Sequence, residues 1–269
     1  MERSFDDFFI VITTYEGQHR HPCPVIEGHE GKFSIYIHSS KEKPVHASRY
    51  FVGREIHSEP VSWGSFAMIE AERRLLANAL LDPDNQHFVL LSDSCIPIRR
   101  FEFVYKYLLI TNVSFIECYI DPGPHGNRRY IEHMWPEVEM KDFRKGSQWF
   151  SMKRQHAIIV IADSLYFTKF KHHCRMLDPG IWHRSFRGQD IRFRLLKALS
   201  SINGSPHITS DPKRTVLTTP CMWNGSKRPC YLFARKFYPD ALDKLMCLFS
   251  NYCFLKYFQF LIMIMILIA

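Results

Sequence analysis

Short apolar runs at 8–12, 33–37, 88–91 and 115–120 have the length of strands, and segments with helical spacing fall between the later ones. Alternation of this kind predicts an α/β sheet with helices packed on it. The clearest predicted helix spans 65–81, with Phe66, Ile69, Leu76 and Leu80 on one stripe and Glu70 four residues before Arg74 as a supporting ion pair. Asp82-Pro83-Asp84-Asn85 stops it, because the residue before a proline avoids helical geometry and Asp and Asn favour turns. Further helices are predicted at 101–109, 154–162, 190–199 and 239–249, the last with Pro239 in its first turn. No internal repeat or low-complexity linker divides them. The most irregular stretch, DPGPHGNRR at 121–129, leaves the end of a predicted strand, where α/β sheets place ligands; a purely structural crossover is the alternative.

At 269 residues, 46% of them hydrophobic, the chain suffices for one large or two modest packed domains. Its charge is divided unevenly. Residues 140–269 hold 21 Lys and Arg against seven Asp and no Glu, a net of +14, and residues 1–139 a net of −6, giving the overall +8. A basic C-terminal half suits phosphate binding, and any general base there must be Asp or His. No nucleic-acid recognition module occurs, so no nucleic-acid partner is expected.

The eight cysteines include no Cys-x-x-Cys pair, which disfavours zinc ribbons and thioredoxin-like sites. They are buried thiols or a few disulfides of a secretory-pathway protein. Asn112, Asn203 and Asn224 begin Asn-x-Ser/Thr sequons and are glycosylation candidates. The first twenty residues carry four acidic side chains and an apolar run too short for a signal peptide. Tyr257 to Ala269 is almost wholly apolar but shorter than the ~20 residues that span a bilayer. This tail reads as a membrane anchor, as a buried end or as sequence outside the domain.

Gly123-Pro124-His125-Gly126 is neither a dinucleotide fingerprint nor a P-loop. Asp82-x-Asp84 has the form of a metal-holding pair, but it lies between a helix and the start of a strand and reads as a turn. His172-His173-Cys174 are adjacent and converge poorly on one ion, so no metal site is expected. Ser92-Asp93-Ser94 closes the strand at 88–91, placing hydroxyls and a carboxylate where a sugar hydroxyl would be held, or else capping the next turn. The loop containing Arg144, Lys145, Ser147, Gln148 and Trp149 joins cations to an aromatic platform, the kit for phosphate and sugar recognition; a solvated basic loop is the rival. Arg228, Arg235 and Lys236 flank the strand-like Tyr231-Leu232-Phe233, an alternation that aims several cations at one diphosphate without a metal.

Taken together, VSWGSFAMIEAERRLLANALLDPDNQHFVLLSDSCIPI (61–98), DPGPHGNRRYIEHMWPEV (121–138), RKGSQWF (144–150) and PCYLFARKFYPDAL (229–242) resemble the plant-type branch of core-2/I-branching β-1,6-N-acetylglucosaminyltransferase-like proteins. The resemblance covers most of 27–247, leaving 1–26 as an atypical N-terminal segment and 248–269 as a hydrophobic tail. It implies a GT-A-like nucleotide-sugar-binding sheet flanked by helices, and a membrane protein of the Golgi. It also implies a UDP-sugar donor, a glycan acceptor and inverting transfer with no metal or other cofactor. By the same resemblance Lys236 falls to the donor diphosphate, helped by Arg235 and Arg228, with Ser92 and Asp93 on the donor wall. Arg144, Lys145, Ser147, Gln148 and Trp149 fall to the acceptor wall.

The departures are as informative. Members of that family carry an Asp-Glu-His segment after the cysteine matching Cys174, its glutamate serving as base. Here His173-Cys174-Arg175 runs directly into Met176-Leu177-Asp178-Pro179-Gly180, an apparent internal deletion near 175–183 that makes the sheet domain incomplete. The catalytic residue is therefore unassigned, with Asp178 and Asp190 as the remaining nearby carboxylates. The expectation is a transferase by descent with little or no turnover, or a non-catalytic nucleotide- or partner-binding isoform.

Overall fold

A computed structural model describes residues 8–15, 32–40, 51–92, 94–99, 101–173, 186–201, 204–208, 211, 213 and 216–250. Asp93, Asn203, the 175–183 segment and the tail at 251–269 lie outside them.

The main sheet comprises β1 (Phe8–Tyr15), β2 (Phe33–Ser39), β3 (Asn85–Ser92), β5 (Phe115–Ile116) and β6 (Phe150–Lys153), in the order β2-β1-β3-β6-β5. The two-residue β4 (Ile96–Pro97) follows β3 and pairs with β11 (Phe233–Ala234). β7 (Gly204–Ile208) with β8 (Val216–Pro220), and β9 (Met222–Trp223) with β10 (Ser226–Lys227), form two small antiparallel pairs. Six α-helices are described: α1 (Ala67–Leu80), α2 (Phe101–Ile110), α3 (Arg154–Ala162), α4 (Leu165–His173), α5 (Phe193–Ser201) and α6 (Leu242–Ser250).

Helices and strands are mixed as the alternation requires, yet neighbouring strands of the described sheet are antiparallel throughout. The reason is the direction of β1. It runs against both β2 and β3, so those two point the same way, and β6 likewise separates β3 from β5. The C-terminal ends of β2, β3 and β5 and the N-terminal end of β6 therefore share one end of the sheet.

The core has two layers, and β3 explains why its sequence is apolar without alternation: both of its faces are covered. Val89 and Leu91 join Phe33, Ile35 and Ile37 of β2 against Val104 and Leu108 of α2. Phe88 and Leu90 face the other way and pack with Ala71, Leu75, Leu76 and Ala79 of α1 and Ala157 of α3. Arg154, at the start of α3, fastens that helix to the junction between α1 and β3 by donating to the carbonyls of Leu80, Asp82 and Asn85 at 2.9, 2.7 and 3.1 Å; the Leu80 carbonyl is one that the end of α1 leaves without a helical partner.

Three expectations change. The buried stripe of α1 is Ala71, Glu72, Leu75, Leu76 and Ala79, whereas Ile69 is 40% exposed. Glu70 does not bridge to Arg74: it accepts from Lys171 Nζ at 2.6 Å, and Arg74 Nη1 lies 3.0 Å from His38 Nε2. The strand predicted at 115–120 stops at Ile116, because Glu117 is taken up by the loop around Ser147 and only Tyr119 pairs again, with Lys145. Helix α4 has no predicted counterpart, although Asp163 signals its start by accepting the amides of Tyr166 and Phe167 at 3.1 and 2.8 Å.

Candidate functional site

The shared end of the sheet gathers segments that are far apart in sequence. β3 closes in Ser92, fully buried, whose Oγ lies 3.1 Å from Ser94 Oγ. Residues 232–238 are then laid along this exit. Ile98 N donates to Leu232 O at 3.0 Å, β11 pairs with β4, and Phe237 N donates to Ser94 O at 3.1 Å. On its other side Phe186 N donates to Lys236 O at 2.7 Å and Tyr238 N returns to Phe186 O at 2.9 Å. Beneath, Ile96, Ile191, Phe237, Ala241 and Leu245 form a buried cluster that holds the segment down. Lys236 is thereby carried to the end of β3 with only 9% of its surface exposed.

The neighbouring cation meets the aromatic platform. The β3–β6 register, Phe88 opposite Met152 and Val89 opposite Ser151, brings the residues before β6 alongside the end of β3. There the Arg235 guanidinium lies 4.0 Å from the centre of the Trp149 ring. A guanidinium over an indole face is held in place by the ring, whose negative face stabilises the charge. Gln148 Nε2 donates to Glu72 Oε1 at 3.3 Å, and Ser147 N donates to Glu117 Oε2 at 2.7 Å.

Other residues expected on the walls have different partners. Lys145 Nζ pairs with Asp121 Oδ2 at 2.9 Å; the Asp121 side chain is fully buried and also accepts from Gly123 N. This ion pair anchors the irregular 121–129 loop. Arg144 donates to the carbonyls of Lys141 and Phe143. Arg228 lies 4.2 Å over the Phe115 ring and donates to the carbonyls of Met222 and Pro229. Asp190 Oδ2 accepts from Arg187 N at 2.9 Å, so its carboxylate caps a short 3-10 turn. The Asp82-x-Asp84 turn is as read, with Asp84 N donating to Asp82 Oδ1 at 2.9 Å.

Of the sequons, Asn224 is exposed with φ of 46° in the Asn-Gly turn between β9 and β10, and Asn112 is exposed and accepts from Trp223 Nε1 at 3.5 Å. A disulfide joins Cys221 to Cys230, just ahead of the Arg235 segment.

The sequence gives no direct sign of Glu72 as an unusual residue. Burial raises its carboxyl to about 8, from 4.5, so it is largely protonated at neutral pH. Its position on the same stripe as Leu75, Leu76 and Ala79 is the signal that would have revealed it.

A family model described as Core-2/I-Branching enzyme matches residues 8–185, about two thirds of the chain. The chain belongs to this family. Among curated proteins, glycosyltransferase BC10 of Oryza sativa subsp. japonica is 40% identical over 159 residues, covering 57% of this chain and 39% of that protein. The chain thus spans well under half the length of this relative. No solved structure matches. The part of this core-2/I-branching chain that carries Arg228, Arg235 and Lys236 lies beyond the matched stretch and joins it through the contacts to β4 and Trp149. No helix among the described residues is long and apolar enough to cross a membrane.

Proposed function

We propose that this core-2/I-branching chain binds a UDP-sugar, with UDP-N-acetylglucosamine as the reference donor, at the end of β3 in a GT-A-like arrangement. Lys236 and Arg235 take the diphosphate in place of a metal. The observation that carries this reading is the Arg235–Trp149 stack next to the Lys236 backbone clamp, which sets two cations beside the Ser92–Ser94 exit. Ser92 and Asp93 line the donor, with Arg228 as a further cation. Gln148, Trp149 and the surrounding Arg144, Lys145 and Ser147 form the wall toward a glycan hydroxyl. Membrane association in the Golgi and glycosylation at Asn112, Asn203 and Asn224 belong to the same reading.

Transfer itself is weak or absent. A base that takes the proton of the acceptor hydroxyl contributes about 10²–10⁴-fold, and the family's Asp-Glu-His segment is missing here. Asp190 is engaged as a cap. A chain that still binds nucleotide, or a partner, without turning it over is the second reading, supported by the same absence.

Calorimetric titration with UDP separates these readings from a chain that binds no nucleotide. Binding that weakens about tenfold or more in Lys236→Ala supports the donor site; no heat with the parent chain sinks it. A UDP-N-acetylglucosamine transfer assay then distinguishes the two readings, and turnover lost in Lys236→Ala would overturn the inactive one.

A further inference from the structure

Glu72 is a buried carboxyl that takes no part in holding the diphosphate. It is 8% exposed on the stripe of α1 that packs into an otherwise apolar cluster. A leucine or methionine would suit such a position without desolvating an acid. What an apolar side chain lacks is an acceptor for Gln148 Nε2, which Glu72 Oε1 supplies at 3.3 Å.

The loop 146–149 is held from two sides. Glu117 fixes its backbone through Ser147 N, and a Cβ at Gly146 would stand 1.9 Å from the Glu117 carbonyl oxygen, so the chain runs hard against that strand end. Glu72 fixes the Gln148 side chain from the opposite side, out of α1. The next residue is Trp149, whose ring carries Arg235.

We propose that Glu72 is a positioning residue for the donor cations: by holding Gln148 it locks the loop in the conformation that keeps the Trp149 ring beneath the Arg235 guanidinium. Its consequence for nucleotide binding rests on the donor-site reading above; its geometry does not. The carboxyl acts through Gln148 and touches neither cation.

Two readouts on the full chain test this. In proton–nitrogen NMR spectra, ring current from Trp149 moves the Arg235 Nε–H resonance upfield. That displacement is expected to persist in Glu72→Gln, whose amide oxygen still accepts from Gln148, and to collapse in Glu72→Leu. In calorimetry, Glu72→Leu is expected to weaken UDP binding about two- to fivefold, the loss of an exposed-to-partly-buried cation–π contact, while Glu72→Gln stays within twofold. If Glu72→Leu does not fold, Gln148→Leu removes the same hydrogen bond from the loop side. An Arg235 resonance unmoved in the folded leucine variant overturns the proposal. Absence of UDP binding in the parent overturns the donor site instead, and the NMR shift still decides the role of Glu72.

Discussion

Arg235 stacks on Trp149, joining the basic segment near the end of the chain to the loop that enters β6. Arg235 follows β11, which is zipped to the exit of β3, so the stack closes a ring of contacts around that strand end. Trp149→Leu is expected to weaken UDP binding by about 0.5–2 kcal/mol, the range of a cation–π contact as it becomes desolvated. Calorimetry checks it; unchanged affinity would place the diphosphate elsewhere.

Lys236 is nearly buried, and its backbone carbonyl is clamped by Phe186 N. Lys236→Ala is expected to lower UDP affinity by about 1.5–3 kcal/mol, the contribution of a charge-assisted hydrogen bond, with Lys236→Arg recovering part of it. A melting curve alongside shows whether the clamp survives. Loss of affinity only in parallel with loss of fold would refute a direct role.

Glu72 also makes a prediction about pH. Its folded-state value of about 8 lies above the ordinary 4.5, so the unfolded chain holds the proton less tightly than the folded one. Stability linked to this group is complete below about 4.5 and is lost as pH rises toward 8. Glu72→Gln removes the dependence and is expected to stabilise the fold by on the order of 3 kcal/mol at pH 7, with little effect near pH 4. His38 and His87, both held down near 4 chiefly by burial, act in the opposite sense: their stability is present above 6.5 and lost as pH falls to about 4. The difference between variant and parent in urea melts isolates Glu72. A difference that is flat with pH would contradict its burial.

Lys145 answers the buried carboxylate of Asp121. Removing only the cation, in Lys145→Ala, leaves that charge desolvated and is expected to cost about 3–5 kcal/mol. Lys145→Met with Asp121→Asn removes both charges and is expected to recover much of the loss. Urea unfolding of the single and double variants measures the pair. A neutral single variant would show that the buried Asp121 carboxylate does not depend on Lys145.

Much of the fold was legible because period and turn chemistry are local. The Asp-Pro stop after α1, the apolar run of β3 and the helix at 154–162 follow from residues within one or two turns of each other. The gathering of cations around Arg235 and Lys236 is a sequence fact too, as is the lack of any glutamate after Glu139. Helix α4 presents no clear stripe, and the apolar positions of α1 point to a rotated face because Ile69 is as apolar as the residues that are buried.

Partnership was left to the tertiary structure. That Arg235 meets Trp149 depends on the pairing of β11 with β4 and the register of β6, while Lys145 meets Asp121 and Glu70 meets Lys171 across 24 and 101 residues of chain. A local pattern sets which face of an element is apolar, but not which charged residue waits across from it. Glu72 shows the limit most clearly: its identity was always readable, and only burial turned an ordinary acid into a neutral hydrogen-bonding group.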